Sequence, residues 1–379
     1  MNIHDYLDYV DIDMISKYRN SKLVEKHVTF FSETTNLNDK LKYDVAFLGV
    51  PDEGSTNQFE AADQIRQQFF SLASLSNSLN IVDLGNIKKG HSFKDTCYAI
   101  SEIVAITLEK NILVILIGGA SKYNLGSYLA FEKNQIPMNM VSVDSMMNKD
   151  KIHPIVSKEL NINNLSDSLA IFNFINIGYQ SYFVEKEFID FINDSYYEAY
   201  RLGFVRANLL EMEPCLRDTN LINFSLNAIK YSDAPGAGNS SPNGLTGEEA
   251  CQIAFYAGHS NRVRSFGLSD FSPQNDFHFT TAKLSAQIIW YFLEGYSSSI
   301  YEEPDTTPEN FTKFIIHLDQ TNQNIAFFKS NLTNRWWMEI KYEEDNRNIL
   351  LSCSETDYEV ACHQGMPERW WRTFQRISQ

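Results

Sequence analysis

The sequence is poor in cysteine: Cys97, Cys215, Cys251, Cys353 and Cys362 are the five in 379 residues. Their number is odd, their spacing is wide and no C-x-x-C occurs. That argues against a disulfide framework or a zinc ribbon and leaves free, mostly buried thiols in a reducing compartment. No apolar stretch approaches the length of a bilayer span, so no membrane insertion is expected. Met1–Tyr6 shows no basic segment leading into an apolar run, so no signal peptide is expected and the chain reads as cytoplasmic. Basic charge is also short. Lys and Arg number 32 against 48 Asp and Glu, for a net charge of -16. Phosphate backbones are bound by a basic footprint, which speaks against nucleic acid as a partner. The nucleophile-elbow pattern G-x-S-x-G and the phosphate loop G-x-x-x-x-G-K are both missing.

What is present is an alternation of apolar runs and helical spacing. Runs at Tyr43–Val50, Ile81–Gly85, Ile112–Ile117, Met138–Val143, Phe172–Gly178, Thr219–Leu226 and Arg262–Leu268 predict strands. Helical patterns at Thr96–Lys110, Leu125–Lys133, Gly247–Gly258 and Thr281–Gly295 lie between or after them. Near-continuous apolar strands are those covered on both faces, and repeated β-α units predict a parallel sheet in an α/β fold of three layers. Ligands of such sheets bind at the carboxyl ends of the strands. Residues 1–40 read as an N-terminal arm, 41–303 as the α/β domain, and 309–379 as a C-terminal β-hairpin and helix extension packed on it. The loop Glu302–Pro308 marks the last boundary. Thr246-Gly247-Glu248-Glu249 has the spacing of a helix capping box.

The strand ends carry a recognisable pattern. Ile112–Ile117 runs into Gly118-Gly119-Ala120-Ser121-Lys122, and Met140–Val143 into Asp144-Ser145-Met146-Met147-Asn148. Gly49-Val50-Pro51, Ile177-Gly178-Tyr179, Pro242–Ala250 and Gly267–Pro273 follow in matching order. Over roughly residues 40–300 this framework resembles the ureohydrolase family of arginase, agmatinase and formimidoylglutamase. The tail, with Arg335-Trp336-Trp337 and Arg369-Trp370-Trp371, resembles a long, arginase-like branch associated with Bacteroidetes. The resemblance implies an arginase-like α/β/α fold and hydrolysis of linear amidines or guanidines by water activated between two Mn²⁺ ions. It also makes a homo-oligomer plausible.

The implied ligand positions are altered. The aspartate and histidine of the family's G-G-D-H fall at Ala120 and Ser121. In D-A-H-x-D the first aspartate is Asp144, the histidine becomes Met146 and the second aspartate Asn148. The later D-x-D becomes Ser225 and Asn227, and the substrate-clamping glutamate becomes the shorter Asp270. Hard dications want carboxylate or imidazole rather than thioether, so these positions read as vestigial and no cofactor is expected. The crevice residues left for chemistry are Asp144, Asp270, His153 and Lys122. Asp144 reads as a strand-end carboxylate bonded to backbone N–H groups or as a remnant ligand. Lys122 is either a surface lysine or an ammonium in the old cation space. His153 reads as a loop residue, and Asp270 as a polar strand-end residue or a clamp for an amine. The expected function is a ureohydrolase-fold pseudoenzyme acting as a binding, scaffold or regulatory protein, with an unidentified protein partner. The alternative is an amidine or guanidine hydrolase with an atypical, metal-poor site, and Mn²⁺ enters only there.

Overall fold

The structure, a computed structural model, describes residues 3–35, 37, 43–52, 59–147, 171–319, 323–342 and 347–378. Its main sheet is built from β1 (Leu7–Asp8), β2 (Val28–Phe30), β3 (Val45–Gly49), β4 (Ile81–Ile87), β5 (Leu113–Ile117), β6 (Met138–Val143), β7 (Ile171–Tyr179), β8 (Glu198–Arg201), β9 (Leu221–Ser225) and β10 (Ser265–Ser269). The order is β1-β4-β3-β5-β10-β9-β6-β7-β8, with β2 sharing the outer edge of β4. Every pairing is parallel except that of β1 with β4. The segment expected as an arm thus supplies two short strands to the sheet.

The period-2 alternation of each strand divides its side chains between two cores. Val45, Phe47, Leu113, Ile115 and Ile117 join one apolar cluster with the helices Glu60–Phe70, Gly247–Gly258 and Thr280–Ser298. Ala46, Leu48, Val114 and Leu116 join the other, with Phe93–Glu109, Leu125–Lys133 and Lys186–Asp194. Two buried faces make three layers, as the unbroken apolar runs predicted. Among the described residues, no helix is long and apolar enough to cross a membrane.

The capping box is formed. Thr246 Oγ1 accepts from Glu249 N at 3.1 Å, and Glu249 Oε2 accepts from Thr246 N at 2.8 Å. Two N–H groups at the start of Gly247–Gly258 are thereby satisfied. Thr246→Ala should lower the unfolding free energy by about 1 kcal/mol in urea titrations, the usual value of a lost N-cap.

The tail forms a separate antiparallel sheet, β11 (Phe311–Leu318), β12 (Gln323–Ser330), β13 (Trp336–Tyr342) and β14 (Arg347–Cys353), followed by helices Glu355–Cys362 and Glu368–Ile377. The Arg-Trp-Trp triplets fasten it to the main body. Arg335 Nε is 3.2 Å from Glu213, and the Arg217 guanidinium lies over the Trp337 ring at 4.6 Å. Arg369 pairs with Glu198 at 3.0 Å, and Trp371 meets Tyr196 edge-on.

Candidate functional site

The crevice is assembled where β5, β10, β9 and β6 end side by side. After β5, Gly118 and Gly119 adopt φ of +77° and +63°. A side chain at Gly118 would meet Ala62 N at 2.7 Å, and one at Gly119 would meet Pro51 O at 2.6 Å. Only glycine can turn the chain there. The turn delivers Ser121 to the start of a short 3₁₀ segment, Ser121–Asn124.

Asp270 follows β10, between β5 and β9, with φ +67°. Its backbone N–H donates to Gly119 O at 2.9 Å, and its carbonyl accepts from Gly238 N at 2.8 Å. Both carboxylate oxygens are engaged. Oδ1 accepts from Ser121 N at 2.9 Å, and Oδ2 accepts from the Ser225 hydroxyl at 2.6 Å. Charge-assisted bonds of this kind are the strong ones. Asp270 therefore ties the ends of three neighbouring strands together.

The network continues across the crevice. Ser225 Oγ accepts from Asn227 N, and Asn227 Oδ1 accepts from Asn239 N at 2.6 Å. The Asn239 amide donates to Met146 Sδ at 3.5 Å. Asp144 is buried, and its Oδ1 accepts from Met146 N at 3.0 Å. Ser121, Asp144, Met146, Ser225, Asn227 and Asp270 are thus brought to one place. Asn148 and His153 lie outside the described residues. Lys122 rests its ammonium 4.9 Å from the Phe93 ring centroid and 5.7 Å from that of Tyr123. That cation–π position sets the ammonium against rings of helix Phe93–Glu109 and of the 3₁₀ segment Ser121–Asn124.

Sequence reasoning passed over Asp52, although it follows the quoted Gly49-Val50-Pro51. Its carboxylate accepts from Ala61 N at 3.0 Å and Gly119 N at 3.2 Å, bracing both the helix Glu60–Phe70 and the glycine turn. Burial pushes its carboxyl up to about 6, against the pull of those two N–H groups, and nearby Glu60 and Asp63 add to the rise. A raised folded-state value means this group favours the fold most below its unfolded value near 3.8, and that contribution is lost as pH rises through about 6. Carboxyl NMR titration should show the Asp52 midpoint near 6; a midpoint in the ordinary aspartate range would contradict the burial described.

The comparisons define the class. The sequence pattern of the Arginase family matches residues 43–294, and the chain belongs to that family. Among curated relatives, formimidoylglutamase of Staphylococcus haemolyticus is 20% identical over 256 residues, covering 64% of this chain and 80% of that relative. The Staphylococcus aureus formimidoylglutamase is 24% identical over 259 residues, covering 64% and 81%. Among solved structures, Bacillus subtilis formimidoylglutamase superposes with a TM-score of 0.61 at 17% identity, over 76% of this chain and all of that one. Trypanosoma cruzi formiminoglutamase, solved with Mn²⁺, gives 0.59 at 18% identity, over 70% and 97%.

These neighbours correct one expectation. The absence of any cofactor was expected, yet the solved formiminoglutamase of this fold carries Mn²⁺, so manganese is the metal the family points to. The side chains described here fit a manganese pair poorly. Among the described residues, no three His, Cys, Asp or Glu form a group able to hold a metal ion. The donors around Asp144 and Asp270 are hydroxyls, amides and a thioether, which do not offset two adjacent dications.

Proposed function

We propose that this member of the arginase family uses its strand-end crevice for a binding, scaffold or regulatory role and not for hydrolysis. One observation carries the reading: both oxygens of Asp270 are bonded to Ser121 N and the Ser225 hydroxyl. A carboxylate so engaged is part of the crevice wall. The two bonds fix the carboxylate's orientation in the wall, so a water or cationic substrate would meet only its remaining lone pairs. Neutral Ser225, Asn227 and Met146 extend the same hydrogen-bonded wall, and a cytoplasmic place of action fits the acidic, cysteine-poor composition.

A second reading is hydrolysis of linear amidines or guanidines with manganese, favoured by the family match and by relatives named formimidoylglutamase. The two separate in one assay. N-formimidoyl-L-glutamate, arginine and agmatine are each incubated with the full chain and added Mn²⁺, and product release is followed. The proposal expects release no faster than in protein-free buffer. Release that scales with protein concentration would overturn it and establish the second reading.

A further inference from the structure

Away from the crevice, a cavity of about 50 Å³ lies between the amino ends of β6 and β7 and the last helix of the tail. Asn139, Asn173 and Arg376 line it. Asn139 and Asn173 are register partners on β6 and β7. Three buried polar atoms of these residues have no hydrogen-bond partner among the described residues: Asn139 Oδ1, Asn173 Oδ1 and Arg376 Nε. Buried polar atoms in native proteins are nearly always satisfied, by protein or by ordered water.

The orientation of the two amides is fixed by their other ends. Asn139 Nδ2 donates to the Asp218 carbonyl at 2.9 Å, and Asn173 Nδ2 lies 3.4 Å from Glu198 Oε1. Turning either amide over would set its oxygen against a carbonyl or a carboxylate. The oxygens are therefore the free ends. Arg376 is held from its other nitrogens, Nη1 by the Tyr196 carbonyl and Nη2 by the Thr373 hydroxyl. What remains is two acceptors and one donor.

We propose that this cavity is a built water site that joins the C-terminal helix to the main sheet. Water accepts from Arg376 Nε–H and donates to the two amide oxygens, which matches the inventory. An anion would face two carbonyl oxygens, and a metal cation would face the guanidinium groups of Arg376 and Arg369, which also lines the cavity. The volume exceeds the ~10–15 Å³ that a cavity needs to hold one water. The seam between tail and sheet is then wet at its centre and flanked by the Arg369–Glu198 pair.

The test is a crystal structure of the full chain at a resolution that shows ordered solvent, with a second crystal soaked in bromide. Water density within hydrogen-bond reach of all three atoms, and no anomalous peak after the soak, is the expected result. An empty cavity overturns the proposal. An anomalous bromide peak beside Arg376 overturns it in favour of an anion site.

Discussion

Replacing Arg369 by methionine should destabilise the fold by about 3–5 kcal/mol, the usual effect of removing one partner from a buried ion pair. Arg369 and Glu198 are both buried, 3.0 Å apart, one on the last helix and the other on β8. Glu198 also receives the Tyr200 hydroxyl at 2.6 Å, and Arg369 donates to the Ser352 carbonyl at 2.5 Å. Burial alone pushes the Glu198 carboxyl up, and the Arg369 guanidinium with the Tyr200 hydroxyl outweighs it, holding the group below the ordinary range. A lowered folded-state value means the pair's contribution is present above the unfolded value of 4.5 and is lost as pH falls through the folded one. Methionine removes the largest of the interactions that oppose burial, so the Glu198 carboxyl rises relative to the parent chain and the stabilisation present above 4.5 shrinks. Glu198→Gln in the same chain removes the stranded charge and should recover much of the loss. Urea unfolding of the two single variants and the double variant measures the coupling. A loss below about 1 kcal/mol, the range of an exposed pair, would contradict the burial described.

Arg66→Met should have an effect of the same size, about 3–5 kcal/mol, for the same reason at a different place. Arg66 is fully buried inside the main body. Nε and Nη2 form two bonds to Asp83, at 2.9 and 3.1 Å. Nη2 also donates to the Gly85 carbonyl at 2.7 Å, and Nη1 to Asn86 Oδ1 at 2.6 Å. The guanidinium thus stitches helix Glu60–Phe70 to β4. Gly49 leaves room for it, since a side chain there would sit 1.8 Å from Asn86 Oδ1. Methionine fills the space but leaves Asp83 without its charge partner. Because the two ion pairs share no residue, their losses should add in the combined variant. A urea midpoint for Arg66→Met within error of the parent chain would contradict the account.

The layered fold was legible because its strands are covered on both faces. Met138–Val143 and Gly247–Gly258 were placed to the residue, and Thr246 announced its own cap. Short elements were not legible. β8 reads Glu-Ala-Tyr-Arg, with no apolar run, and its buried Glu198 is matched by Arg369 in the distant tail. β1 and β2 are held at the sheet edge by register with β4 and carry little pattern of their own. Helix Glu355–Cys362 has a weak apolar face and was passed over, though Ser354 and Asp357 form a capping box at its start. At the crevice, the resemblance pointed to Ser121, Asp144, Met146, Ser225, Asn227 and Asp270 but not to the bonds they make. That Asp270 would spend both oxygens on Ser121 and Ser225 depends on strand order, since β10 lies between β5 and β9. Spacing along the chain carries no trace of it. The expectation about cofactors failed for a different reason. It was drawn from this chain's altered ligands alone, whereas solved relatives of the same fold carry manganese.

The most direct test of the crevice as wall and not as catalyst is Asp270→Asn, measured for stability and for amidine hydrolysis with Mn²⁺ together. Asparagine tolerates the same left-handed backbone. Its amide cannot accept both hydrogen bonds, and hydrogen bonds to a charged group are worth about 1.5–3 kcal/mol each. The account predicts a drop in unfolding free energy of that order and a hydrolysis rate at the protein-free background before and after the change. Hydrolysis by the parent chain that Asp270→Asn abolishes while stability stays unchanged would contradict it.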